Sequence, residues 1–233
     1  KCWAETPSER PNFSEIVEEL LQERYQIFFN AKKEDVKKYL MLFDEDLINS
    51  KHLKALNIKK EADKGNLKAI IMYSMINYFG NGVPVNKIES AKYMKIAVDM
   101  GHIDSIYNYG CILEHGEGVE INKKLAAHYY KIAADYGHEN AMNNYGVMLL
   151  NGDGIEMDKS KAAIYFKKAI YKGCINAMAN YGNMLYYGNG IKTNKLKALN
   201  YFKMAADKGN NCHIIRYARI LKDGDGDVIK PNK

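Results

Sequence analysis

The sequence predicts an all-α solenoid of helix-turn-helix repeats, each 36 residues long. Two observations carry that expectation first. Glycines recur every 36 residues, as Gly65, Gly101, Gly137, Gly173 and Gly209 and as the pairs Gly80/Gly82, Gly116/Gly118, Gly152/Gly154, Gly188/Gly190 and Gly224/Gly226. Tyrosines keep the same register, as Tyr73, Tyr109, Tyr145, Tyr181 and Tyr217 and as Tyr93, Tyr129, Tyr165 and Tyr201. Five columns in register without an insertion mark a repeat architecture, which must be recognised before any other reading of the fold. The third observation is that the apolar residues between these marks follow the helical period.

The elements are taken in order along the chain. Residues 2–20 open with Cys2, Trp3, Arg10 and Pro11, and Asn12 with Glu15 forms a capping box that starts a short helix. Phe13, Ile16 and Leu20 then share one face. Residues 22–51 contain neither Gly nor Pro, and Val36, Tyr39, Leu40 and Phe43 fall three to four apart. That spacing predicts a helical bridge. The repeats occupy residues 52–233, about five units with the last incomplete.

Each repeat reads as two helices. Asn86, Asn122, Asp158 and Asn194 stand where the first helix begins, where their side chains accept a hydrogen bond from an amide of the opening turn. About fourteen residues come next, for example Lys123 to Tyr136, and then a glycine, which closes a helix in the left-handed conformation. The second helix, for example His138 to Asn151, also ends at a glycine, within Gly-x-Gly. A phosphate-binding loop needs a third glycine and a preceding strand, so these glycines are read as turn residues.

In the first helices the expected core side is Ala126, Tyr129, Tyr130 and Ala133, repeated as Ala162, Tyr165, Phe166 and Ala169 and as Ala198, Tyr201, Phe202 and Ala205. In a second helix it is Ala141, Met142, Tyr145, Met148 and Leu149. The small column Ser74, Gly110, Gly146, Gly182 and Ala218 lets adjacent helices approach closely. One such pair cannot bury its apolar face alone, so neighbours must stack.

The chain has 233 residues, 47% of them hydrophobic and 27% charged, with a net charge of +6. That is ordinary for a folded soluble protein. No apolar run is long enough to span a membrane, no apolar segment of the secretory kind follows Lys1, and the chain, which begins inside a motif, is expected to be a piece of a longer protein. Cys2, Cys111, Cys174 and Cys212 form no CxxC pair, which predicts free thiols in a reducing, cytoplasmic setting. The histidines show neither a metal-ligand spacing nor a nucleophile pairing, and His102 and His138 are read as helix-start residues. Glu117 and Asp153, in the Gly-x-Gly turns, are read as solvated. We therefore expect no catalytic residue, no metal and no cofactor.

The exposed face of the first helices carries a lysine row, Lys59, Lys95, Lys131, Lys167 and Lys203. Asp63, Asp99, Asp135 and Asp207 come four residues later, and Tyr171 stands where the fourth unit lacks its Asp. Taken around a helical wheel, the lysine lies about opposite the core. Two readings stay open: intrahelical ion pairs, although Lys before Asp is the weaker order, and a row that faces a ligand. For the second, the expected contact face is Lys95, His128, Lys131, Ile164, Lys167, Tyr171, Leu196, Asn200 and Lys203. An apolar notch between lysines suits a peptide with an aliphatic or aromatic anchor and acidic flanks. Nucleic acid is disfavoured, because the tyrosines belong to the buried side and offer no stacking platform. No membrane contact is expected. The open end of the repeat array permits self-association.

The run Ala-x-x-Tyr-Tyr-Lys-x-Ala-Ala-Asp-x-Gly-x-x-x-Ala-x-x-Asn-Tyr-Gly, followed by Gly-x-Gly-Ile/Val, resembles the Sel-one-like repeats, relatives of the tetratricopeptide repeat. The resemblance spans about residues 52 to 226, with departures in the last unit, where Arg216 and His213 break the pattern. It implies a right-handed α/α superhelix that acts as a protein-binding adaptor. Residues 2–21 resemble the extreme C-terminal end of tyrosine-kinase-like protein kinase domains. That second resemblance implies that Arg10 once paired with a glutamate absent here, and that the chain is the recruitment module of a longer kinase-related protein. The alternative is the regulatory end of an active serine/threonine or tyrosine kinase whose catalytic residues lie upstream. The chain itself lacks the motifs that position ATP and metal for phosphoryl transfer.

Overall fold

The computed structural model describes residues 50–208. The kinase-like run, the bridge up to residue 49 and the unit that begins at Gly209 lie outside the described residues, with Cys2, Arg10, Cys212, His213 and Arg216. Contacts divide the chain into two compact units, Lys1–Leu53 and Lys54–Lys233. The repeat stack belongs to the second of these, from Lys54 onward.

The described residues are helical, with no strand among them. Residues 50–63 form α1. Then come α2 (Leu67–Phe79), α3 (Lys87–Asp99), α4 (Ile103–His115), α5 (Lys123–Asp135), α6 (Glu139–Asn151), α7 (Lys159–Tyr171), α8 (Ile175–Tyr187) and α9 (Lys195–Asp207). Each of α2 to α9 has 13 residues, one fewer than the sequence spacing suggests, because the flanking residues act as caps. The even and odd helices alternate as two layers, which is the α/α solenoid expected.

The caps obey local chemistry. Asn86, Asn122, Asp158 and Asn194 each accept from the backbone N–H three residues on, as anticipated. The imidazoles of His102 and His138 do the same for α4 and α6, with Nδ1 accepting from the Ser105 and Ala141 amides at 3.2 Å. Gly80, Gly116, Gly152 and Gly188 end the even helices in the left-handed conformation.

The closest-packed helix pairs straddle the Gly-x-Gly turn: α2 with α3, α4 with α5, α6 with α7 and α8 with α9. The small column explains the closeness. Gly110 faces the ring of Tyr130, Gly146 that of Phe166 and Gly182 that of Phe202, and a Cβ on any of these glycines would stand 2.7–2.8 Å from the ring. The three rings are wholly buried. In the first pair Ser74 takes the glycine's place, and its hydroxyl donates to the Ser90 carbonyl at 2.8 Å. One continuous cluster runs from Val98 to Phe202 through the stack.

The tyrosines lie at the seams. Tyr73 meets Tyr93, Tyr109 meets Tyr129, Tyr145 meets Tyr165 and Tyr181 meets Tyr201, all edge to face, with centroids 4.7–5.3 Å apart. That is the arrangement aromatic quadrupoles favour. Tyr93 and Tyr165 are buried, whereas Tyr129 and Tyr201, expected on the core side, are half-buried. Tyr129 interacts electrostatically with Lys95, and Tyr201 with Lys167.

Burial raises the phenols of Tyr93, Tyr107, Tyr109, Tyr130, Tyr165 and Tyr201 above the ordinary 10.0. Below pH 10 both folded and unfolded chains keep these protons. Above it the unfolded chain ionises first, so stability is lost as pH rises toward the folded values. Urea unfolding monitored at stepped alkaline pH should show a steady fall in midpoint. A midpoint flat through the tyrosine range would show that the rings are solvated.

Candidate functional site

The residues of the expected contact face all belong to odd helices, α3, α5, α7 and α9. Ile164, Tyr171 and Leu196 are 53%, 89% and 64% exposed. His128, Lys131, Lys167, Asn200 and Lys203 are exposed as well, and Lys95 is half-buried. With about 100° per residue, Ile164 and Tyr171 lie within about 20° of each other on α7. Lys167 falls about 60° to one side of Ile164, and Lys168 and Lys161 fall about 40° and 60° to the other. The apolar strip is therefore bordered by ammonium groups along both edges. Lys161 and Lys168 were not among the residues expected from the sequence, although the same helical wheel contains them.

The lysine row stands on the flank of the exposed face, short of its centre, which corrects the expectation that it lies opposite the core. The Lys59 ammonium lies 5.9 Å from the Tyr73 ring centroid and the Lys167 ammonium 5.4 Å from that of Tyr181. Each of these lysines thus leans on the tyrosine of the next even helix, and the aromatic face attracts its charge.

The first three rungs are neutralised within the chain. Lys59 pairs with Asp63 at 2.8 Å, Lys131 with Asp135 at 2.7 Å, and Lys95 with Asp99. Tyr93 also donates its hydroxyl to Asp63. The hydrogen bonds from Lys59 and Tyr93 hold the Asp63 carboxyl below its ordinary value. The pairs form despite the unfavourable residue order, because the partners are four apart on one face. Tyr171 breaks the series at Lys167. Lys203, although Asp207 lies four residues on, has no acidic partner within 4.0 Å among the described residues.

A second set of pairs joins successive repeats. Lys87 meets Glu117 at 2.9 Å, and Lys123 meets Asp153 at 2.8 Å. The reading of Glu117 and Asp153 as merely solvated is corrected. Each acid sits between the two glycines of a turn and reaches the first residue of the odd helix one repeat earlier. The signal was in the sequence as a lysine and an acid 30 residues apart, twice. The hydrogen bond from Lys87 lowers the Glu117 carboxyl from its ordinary value.

Two of the depressions on the surface of this unit bear on docking. One, about 490 Å³, is lined by Leu125, His128, Lys131, Tyr145 and Ile155 among others, so the expected face dips inward at α5. The other, about 400 Å³, lies between α2, α3 and α4 and includes Met75, Phe79, Met94 and Ile112. This second hollow was not foreseen from the sequence, since α2 is apolar on nearly every side and its spacing does not single out Met75 and Phe79 as the residues left exposed.

Cys111 and Cys174 are free thiols. Burial pushes both thiols up, which makes them poor nucleophiles. No group of three His, Cys, Asp or Glu side chains among the described residues is placed to hold a metal ion. No helix among them is long and apolar enough to cross a membrane.

A family model described as Sel1 repeat matches residues 67–102, 103–138, 140–174 and 175–210. Each matched segment contains one of the close pairs around a Gly-x-Gly turn. Among solved structures, a Sel1 repeat protein from Oxalobacter formigenes shares 24% identity and a TM-score of 0.71, over 95% of this chain and 94% of that one. A protective antigen of uropathogenic Escherichia coli strains, which displays an SLR fold, shares 24% identity and a TM-score of 0.69 over 85% of this chain. The present chain spans 44% of that antigen's length. These likenesses concern the fold. No curated protein matches the chain.

Proposed function

Since the chain belongs to the Sel1 repeat family, we propose that it is a non-catalytic scaffold that docks other proteins on the exposed face of its odd helices. The observation that carries this reading is the apolar strip of Ile164 and Tyr171, with Leu196 on the neighbouring odd helix. Large apolar side chains this exposed on one face of regular helices stabilise nothing within the fold, whereas aromatic anchors contribute heavily to binding at interfaces. Stacked repeats supply a rigid array on which such anchors are displayed at fixed spacing.

Exchanging Ile164 and Tyr171 together for alanine should abolish capture of partner proteins by the full chain while leaving its melting curve in place. Undiminished capture would move the docking surface elsewhere, and the hollow beside Phe79 is then the next place to mutate.

A second reading concerns the parent protein. The Cys2-Trp3 and Arg10-Pro11 run supports placing this module behind a protein kinase domain, where it recruits substrates or regulators. An upstream gene sequence without a kinase domain ends that reading. ATP binding by the present chain is expected to be nil.

A further inference from the structure

The fourth unit has lost both of the acids that neutralise its predecessors. In the second and third units the lysine at the ninth helix position pairs with an aspartate four residues on, and the lysine at the first position pairs with the acid of the next Gly-x-Gly turn. In the unit that begins with α7, those acids are replaced by Tyr171 and Asn189. Neither Lys167 nor Lys159 has an acidic partner within 4.0 Å among the described residues.

Charge along the solenoid is divided accordingly. Residues 54–158 contain eleven lysines against thirteen acids, a net −2. Residues 159–208 contain ten lysines against the single acid Asp207, a net +9. The exposed apolar strip lies within this basic half. Lys161, Lys167 and Lys168 border it, and no carboxylate of α7 lies between them.

We propose that the occupant of the α7–α9 face is an acidic polypeptide segment that places one aliphatic or aromatic side chain between Ile164 and Tyr171. This inference rests on the reading of that face as a docking surface. Carboxylates on either side of the anchor meet lysines that have no neutralising acid of their own. The second and third repeats, whose row lysines Lys95 and Lys131 and turn-facing lysines Lys87 and Lys123 are already paired, compete less for the acids. Substitution of the usual aspartate by Tyr171 thus both adds an anchor and frees a charge. A nucleic acid meets the same charges but finds one exposed ring on α7 and α9, that of Tyr171, in place of a row, because Tyr165, Phe166 and Phe202 are buried and Tyr201 is half-buried.

The test uses the full chain and two pools of fluorescent peptides. In one pool Asp and Glu flank a central Leu, Ile, Phe or Tyr. In the other, Asn and Gln replace the acids. Anisotropy at low salt should show the acidic pool binding more than about tenfold better, from several exposed pairs each worth up to about fivefold. The advantage should shrink as salt is added. Tyr171→Asn removes the anchor alone, whereas Tyr171→Asp also restores the missing acid beside Lys167. Tyr171→Asp should therefore bind the acidic pool up to about fivefold more weakly than Tyr171→Asn, and high salt should close that gap.

Equal binding of the two pools, or no gap between the two variants, overturns the assignment of an acidic partner. The docking face then stands or falls separately, by whether the Ile164/Tyr171 double alanine variant loses capture. A single-stranded oligonucleotide that binds more tightly than the acidic pool and competes it off also overturns the proposal.

Discussion

Phe166→Ala should destabilise the solenoid by about 3–5 kcal/mol, the range for deleting a large buried ring. The ring is wholly buried. It fills the space above Gly146, whose hydrogen leaves room for no more than ring contact. The glycine has no side chain with which to fill the vacancy, so collapse is limited. Repeat arrays are held by neighbour-to-neighbour contacts, and the loss should appear first where α6 meets α7. Urea unfolding should give a lower midpoint, and hydrogen exchange should rise in α7 and α8 before α2 to α4. A shift below about 1 kcal/mol would mean that the ring is not the knob that joins this pair.

The second large effect is expected at the inner end of a turn. Gly154 has φ +72°, and a Cβ there would stand 2.5 Å from the Lys123 carbonyl carbon and 2.6 Å from the Lys124 nitrogen. Those are backbone atoms at the start of α5, one repeat earlier, and no flexible side chain is available to give way. Gly173 is the control. It has φ +93°, and nothing lies within 4 Å of its notional Cβ. Gly173→Ala should cost only the left-handed strain, about 1–2 kcal/mol. Gly154→Ala should cost that strain and a displacement between repeats, so its melting temperature should fall well below the control's. Equal melting temperatures for the two variants would show that the junction is loose enough to open without penalty.

These two sites separate what was readable in the chain from what was not. The Asn and Asp caps and the ends of the even helices were legible because each is settled within a few residues. The buried faces of α5 to α9 were legible because apolar spacing tracks the helix period whatever the neighbour is. The exposure of Ile164, Tyr171 and Leu196 was legible for the complementary reason: what the core does not claim is left outside.

Partnership between repeats was not legible to the same degree. The two glycines of Gly-x-Gly look alike in the sequence. In space, Gly152 ends α6 whereas Gly154 admits the backbone of α5. Lys123 and Asp153 are 30 residues apart and meet only because the repeats stack. Glu117 and Asp153, which looked solvated one by one, acquire partners, and His138, expected at a helix start, caps α6 and also stacks on Tyr107 with centroids 4.4 Å apart.

By itself the sequence determined the helical class, the 36-residue period, the caps and the side of each helix that is buried. Those properties rest on hydrogen bonds and apolar periodicity within one turn of chain, where sequence distance and spatial distance agree. Only the tertiary structure decided which helices form the close pairs, which glycine yields to a neighbouring backbone, and which lysines already have an acid beside them. The close pairs and the turn contacts depend on groups 20 to 31 residues apart in the chain, and packing between helices brings them within reach.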